Sequence, residues 1–190
     1  MNNPDTHPLA GGLVYEDHLA LQWSAVEARP DESEAIALAE SNLDILRTLL
    51  MLGDSRGELA EDSANVAHEL ARMDFKLNLV LDLVGEVLSY YHDQPARVLV
   101  RLGMQGVEWE AAEAPAPGGL VGIELYLSAR YPRALRLLGR VRSVTPLAQG
   151  MRTVVMFEDT SESVQDLLEK IIFRHHRRRI AHARRSATPS

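Results

Sequence analysis

One pattern constrains this chain more than any other: an alternation of three- and four-residue steps between apolar positions from Leu59 to Tyr91. The residues are Leu59, Val66, Leu70, Met73, Leu77, Val80, Val84, Val87 and Tyr91, with Ser63 the one polar gap. Only one heptad register fits, because an a-to-d step is three residues and a d-to-a step is four. Leu70, Leu77, Val84 and Tyr91 take position a; Leu59, Val66, Met73, Val80 and Val87 take d. Such a repeat predicts a helix that packs against copies of itself. At 33 residues the helix would span roughly 50 Å, too far for the one shorter helix before it to cover. Leu at a with β-branched Val at d disfavours the parallel dimer and favours a trimer or tetramer. The flanking e and g positions are mostly charged early (Asp62, Glu69, Asp74, Lys76) and apolar later (Leu81, Leu83, Leu88, Tyr90). A widening stripe suits a bundle with further helices laid outside it, and a parallel arrangement sets like flanks beside like. The expectation is a parallel homotetrameric coiled coil, with helix 31–52 as the cover of the apolar flank. On that reading helix 31–52 and the rest of the fold stabilise each other only through the oligomer. Gly85 lies at b, where it costs about 1 kcal/mol of helix propensity.

Around this helix the chain divides into segments. Residues 1–12 read as a flexible N-terminus. Residues 13–26 alternate through Leu19, Leu21 and Trp23 as a half-buried strand. Asp31-x-x-Glu34 is a capping box, followed by an apolar face at Ile36, Ala39, Leu43, Leu46 and Leu50, and Gly53 ends the first helix. Ser55-x-x-Glu58 opens the heptad helix and Pro95 closes it, so residues 31–94 form a two-helix oligomerisation insertion. From residue 96 the period falls to two. Strands are expected at 97–102, 106–110, 119–127, 135–144 and 151–158, the remainder (96–160) of a small antiparallel barrel. Asp159-x-x-Glu162 caps a last helix over 161–185 with an apolar face at Val164, Leu168, Ile171 and Ile172 and a basic end; 186–190 is a loose tail. The fold class is α+β.

Bulk properties exclude several functions. The net charge of −7 argues against general affinity for nucleic acid or anionic membranes. The absence of cysteine removes disulfides, thiolate metal sites and a cysteine nucleophile. The first residues lack the basic and apolar regions of a signal peptide, and no apolar run reaches transmembrane length, so the expected setting is cytoplasmic. His68-Glu69-Leu70-Ala71-Arg72 departs from a zinc-protease signature, with Arg where the second His ligand is needed. His175 and His182 lie two turns apart, roughly 10 Å, too far to share an ion. Gly118, Gly119 and Gly122 precede a strand and lack the ending of a phosphate loop. Trp23 and Trp109 sit in alternating strands and read as barrel core. No enzyme site, metal site or cofactor is expected.

The segment Val98–Arg179 resembles a PilZ domain, the bacterial module that senses cyclic di-GMP. Leu102-Gly103-Met104-Gln105-Gly106-Val107-Glu108-Trp109 is similar to the family's second motif, in which an Asp/Asn-x-Ser-x-x-Gly turn precedes a hydrophobic strand. Gly119–Leu127, Leu138–Val144 and Met151–Phe157 resemble its next strands, and Leu168–Arg174 its closing helix. With Leu19–Trp23 as the first barrel strand, the layout resembles the atypical, tetrameric PilZ subgroup: a PilZ-like β-barrel interrupted by a two-helix insertion and followed by a C-terminal helix. The resemblance implies bacterial cyclic di-GMP signalling. The ligand motifs depart from the family. An Arg-x-x-x-Arg segment is expected before the first strand, where guanidinium groups stack on guanine and grip phosphate, yet the first arginine is Arg29. Of the second motif only Gly106 is kept; Arg101 stands at the Asp/Asn position, where it cannot accept a hydrogen bond, and Gly103 at the Ser position. Losing these contacts would cost on the order of 5 kcal/mol, a few thousandfold in affinity.

Six arginines fall between Arg174 and Arg185. They suit a solvated helix end, where cations meet the macrodipole, or an anion site for nucleotide phosphates, an acidic partner or nucleic acid. Three functions follow: an oligomeric PilZ-like adaptor with weak or no direct cyclic di-GMP binding and a protein partner in the pathway; an atypical receptor in which Arg174, Arg177 and Arg178 join Arg101, Gly103 and Gly106; or a plain oligomeric scaffold. The first is the leading expectation, without nucleic acid or membrane insertion.

Overall fold

A computed structural model describes residues 9, 12–54, 64–91, 95–129 and 131–186. The elements run β1 (Tyr15–Ala25), α1 (Glu32–Asp54), α2 (Ala64–Tyr91), β2 (Arg97–Leu102), β3 (Gly106–Ala111), β4 (Leu120–Tyr126), β5 (Leu135–Pro146), β6 (Met151–Phe157) and α3 (Glu162–Ser186). The strands close into an antiparallel barrel of order β1-β2-β3-β6-β5-β4. Closure depends on β1, whose first half pairs with β2 and second half with β4. Ala20 is the pivot, opposite both Arg97 and Tyr126. Leu19, Ala20 and Leu21 are all buried there, so the strict alternation of a strand buried on one face breaks where β1 changes partners. Inward-pointing Val100, Leu102, Val107, Trp109, Ile123, Leu125 and Val155 fill the barrel.

The two helices after β1 part ways. The capping box at the start of α1 forms in full: the Glu34 amide donates to Asp31 Oδ1 at 2.9 Å, and the Asp31 amide to Glu34 Oε2 at 3.1 Å. The Asp31 carboxyl is held below its usual range by the Ser33 hydroxyl and the Glu34 amide. α1 then packs on α3 and β5 of its own chain. Ile45, Leu46 and Leu49 join Val164, Leu168, Ile171 and Ile172 of α3 in one cluster with the barrel core. Asn42 pins α1 to β5, its amide donating to the Arg136 carbonyl and its oxygen accepting from the Arg136 amide. This corrects the expectation that α1 covers the heptad helix and meets the barrel only through an oligomer: its apolar face is already used, and Ile36, counted in that face, is exposed.

Two further expectations change. The Asp159-x-x-Glu162 box does not form. Ser161 immediately precedes α3 and its carbonyl accepts from the Val164 and Gln165 amides. Asp159 sits two residues earlier, at φ 56°, with its carboxylate on Arg29 at 2.9 Å. Long-range ion pairing has taken the side chain that would have capped the helix. Trp109 is fully buried as expected, whereas Trp23 is only partly buried. It borders an open groove of about 750 Å³ with Pro115, Pro117, Val144, Pro146 and Met151. Leu59 and the Ser55-x-x-Glu58 box lie outside the described residues, as do the side chains of Val66 and Tyr91.

Candidate functional site

The β2–β3 turn, the segment resembling the second motif, lies at the barrel end opposite the groove. The Gly103 amide donates to the Gly106 carbonyl at 2.9 Å, closing the turn. A Cβ at Gly106 would collide with the Val155 carbonyl oxygen, because β3 and β6 approach too closely there for a side chain. That accounts for the one motif residue retained. Buried Leu9 lies over both glycines: its Cδ2 would stand 3.4 Å from a Cβ on Gly103 and 3.3 Å from one on Gly106. The surface a ligand would meet at this turn is covered by an aliphatic side chain of the chain itself.

Arg101 is held from two sides. Its Nε donates to Glu16 Oε2 on β1 at 2.6 Å, and its Nη1 to Glu108 Oε1 on β3 at 2.9 Å. Strand register produces this, since Arg101 lies directly opposite both Glu16 and Glu108. Glu108 is 2% exposed, and Arg152 on β6 adds a second cation 3.5 Å away while bonding Glu110 at 2.6 Å. A carboxylate so buried is stable only when paired, and removing one partner would leave an uncompensated charge. The ladder continues to α3, where Arg179 Nη1 stands 3.8 Å from Glu16 Oε1. The Arg101 hydrogen bond is the largest cause holding the Glu16 carboxyl below its usual range, and the charges of Arg101 and Arg179 add to it.

The other arginines read from the sequence go elsewhere. Arg174 donates to the carbonyls of Leu49 and Leu50, at 2.5 Å each, a cation placed near the C-terminal end of α1. Arg177 lies over the Phe173 ring, 6.0 Å from its centroid, and Arg178 is exposed on α3. The structure thus gathers Arg101, Gly103 and Gly106 in one hairpin but holds Arg174 against α1. The α3 arginine beside the turn's ladder is Arg179. Sequence reasoning missed Glu16 and Leu9, which matter through partners far away in the chain, and Glu108, which pairs with Arg101 across the β2–β3 hairpin; Arg179 figures there only as one of the basic run. His175 packs on Tyr15 with ring centroids 3.7 Å apart. Burial lowers the pKa of His175, and burial followed by Asp17 pushes Tyr15 up to about 12. Among the described residues, no group of three His, Asp or Glu could hold a metal ion, and no helix is long and apolar enough to cross a membrane.

The second candidate surface is α2. Leu70, Met73, Leu77, Val80, Val84 and Val87 are all exposed, Leu77 by 64%. Phe75, Leu79 and Leu83 form another exposed apolar row at four-residue spacing. Phe75 and Leu79 occupy f and c, positions that a heptad reading assigns to solvent.

A closed antiparallel barrel, with two helices inserted after its first strand and one helix packed on its side, has the architecture of a PilZ-type domain. The chain belongs to the atypical PilZ family: the model described as atypical PilZ domain, cyclic di-GMP receptor, matches residues 46–185. That span takes in the end of α1 and all of α2 as well as the later strands and α3. The chain is also similar to a solved structure of a pathogenic protein from Xanthomonas campestris, a tetrameric PilZ domain self-assembled via an unusual helical bundle. The TM-score is 0.71 at 29% identity, covering 93% of this chain and 95% of that one. No protein with a curated description matches.

Proposed function

We propose that this protein is an oligomeric, non-enzymatic regulator that takes part in cyclic di-GMP signalling through protein contacts, with weak or no direct binding of the nucleotide. The observation that carries the reading is the engagement of Arg101 between Glu16 and buried Glu108, beneath a turn covered by Leu9. A ligand entering here must break ion pairs and displace an apolar side chain, with no arginine pair before β1 to repay it. The exposed face of α2 and the tetrameric Xanthomonas relative support a homotetramer held by a parallel helical bundle. Each buried Leu or Val of that face would contribute about 1.5–3 kcal/mol. Calorimetry on the full chain with cyclic di-GMP tests the nucleotide half. The expected dissociation constant is no tighter than about 0.1 mM, from a loss of about 5 kcal/mol against a micromolar receptor with partial rescue by α3. Micromolar binding would favour the second reading, an atypical receptor, for which the family description speaks. In that case Arg177 and Arg178 are the α3 residues to replace, since Arg174 is engaged with α1.

A further inference from the structure

Glu16 occupies an unusual position. Its carboxylate lies between two guanidinium groups from different elements, with Oε2 on Arg101 Nε of β2 and Oε1 facing Arg179 Nη1 of α3. Both arginines are partly open to solvent, Arg101 by 33% and Arg179 by 55%, and so is Glu16, by 38%. Besides Glu16, Arg101 has a second anchor, its Nη1 bonding buried Glu108 at 2.9 Å. The ladder formed by Glu16, Glu108 and Glu110 with Arg101, Arg152 and Arg179 has three anions and three cations. Without Glu16 it would carry one more cation than anion, with Arg101 still paired to Glu108.

We propose that Glu16 is a displaceable internal anion, and that Arg101 and Arg179 form a latent site for a phosphoryl group that Glu16 keeps closed. A phosphoryl group offers a guanidinium the same two-oxygen edge as a carboxylate, and planar arginines suit that geometry better than lysines. A carboxylate partly open to solvent is a weaker closure than buried Glu108 would be, since solvent screens an ion pair it reaches. A ligand with two phosphoryl oxygens and more charge can compete with it. The proposal rests on the reading above that the unaltered chain does not bind cyclic di-GMP tightly, and it assigns part of that silence to one residue.

The test is calorimetry at low salt on the full chain, with sodium pyrophosphate in one arm and cyclic di-GMP in the other. The variants are Glu16→Ala, Glu16→Gln and Glu16→Ala combined with Arg179→Ala, each checked for folding by its melting curve. The expected result is at least a tenfold gain in affinity for one or both probes in Glu16→Ala, abolished when Arg179 is also removed. A gain with pyrophosphate alone identifies a free phosphate ligand; a gain with cyclic di-GMP alone identifies a nucleotide. If Glu16→Ala fails to fold, Glu16→Gln carries the test, with the double variant built on Gln. No gain with either probe, or a gain that survives the loss of Arg179, overturns the proposal while leaving the weak-binding reading intact. Micromolar binding of cyclic di-GMP by the unaltered chain overturns that reading instead.

Discussion

α1 and α2 enter the chain side by side, both amphipathic and both between β1 and β2, yet their apolar faces meet opposite fates. α1 places Ile45, Leu46 and Leu49 in the barrel's own core cluster, with Leu46 wholly buried. α2 leaves Leu70, Met73, Leu77, Val80, Val84 and Val87 exposed. The pattern of each face explains the difference. The buried side of α1 includes Asn42, which bonds the Arg136 backbone, and its last turns accept Arg174. These polar contacts are specific to one place on one chain. The face of α2 repeats every seven residues, the spacing of helices that pack on copies of themselves, as the proposal above has it. Amphipathicity says that a helix needs a partner; in α1 the polar exceptions say that the partner is its own domain.

Substitution on α2 should have the greatest consequence. Leu77→Asp puts a charge at the a position of every copy, so light scattering should fall from about four times the chain mass of 21.1 kDa to about one. Circular dichroism of the barrel should be retained. A wild-type mass already at the monomer value would end the tetramer proposal. The converse change on α1 should act on the fold. Leu46→Ala removes a fully buried side chain and should lower unfolding stability by about 2–5 kcal/mol, with the association state at low temperature unchanged. If Leu46→Ala instead dissociated the oligomer without lowering stability, α1 would belong to the interface after all.

A smaller effect sharpens the role of α3, which links α1 to the barrel. His175 packs on Tyr15, and its neighbours include Asp17, Arg178 and Arg179. Burial, the largest cause, lowers its pKa below the ordinary 6.5. As pH falls, the unfolded chain takes up this proton before the folded one does. The stability held by neutral His175 is therefore fully present above about pH 6.5 and is lost as pH falls toward the folded pKa. Melting temperature should decline between about pH 7 and pH 5, and His175→Gln should flatten that part of the profile. An identical slope in the variant would assign the decline to other groups.

Much of the fold was legible in the residues because it rests on local periodicity. The strand at 97–102 appears over the expected span, β3 to β6 lie within a few residues of their expected limits, and the Asp31 capping box forms as its spacing requires. A period of two, a cap three residues from its partner and a heptad are all properties of short stretches. Far less of the arginine site was legible. Arg101 meets Glu108 across a hairpin but Glu16 across 85 positions, and Arg174 finds its carbonyls 124 and 125 positions away. Asp159 carries a helix-cap signature, yet Arg29, 130 residues distant, claims it. A guanidinium pairs with whichever acceptor the closed barrel brings within reach, and the energies of competing partners differ by little. Short-range periodicity marked the strands, the start of α1 and the heptad spacing of the exposed apolar positions on α2. Which carboxylate each arginine holds follows instead from strand register and helix docking, which set those distances.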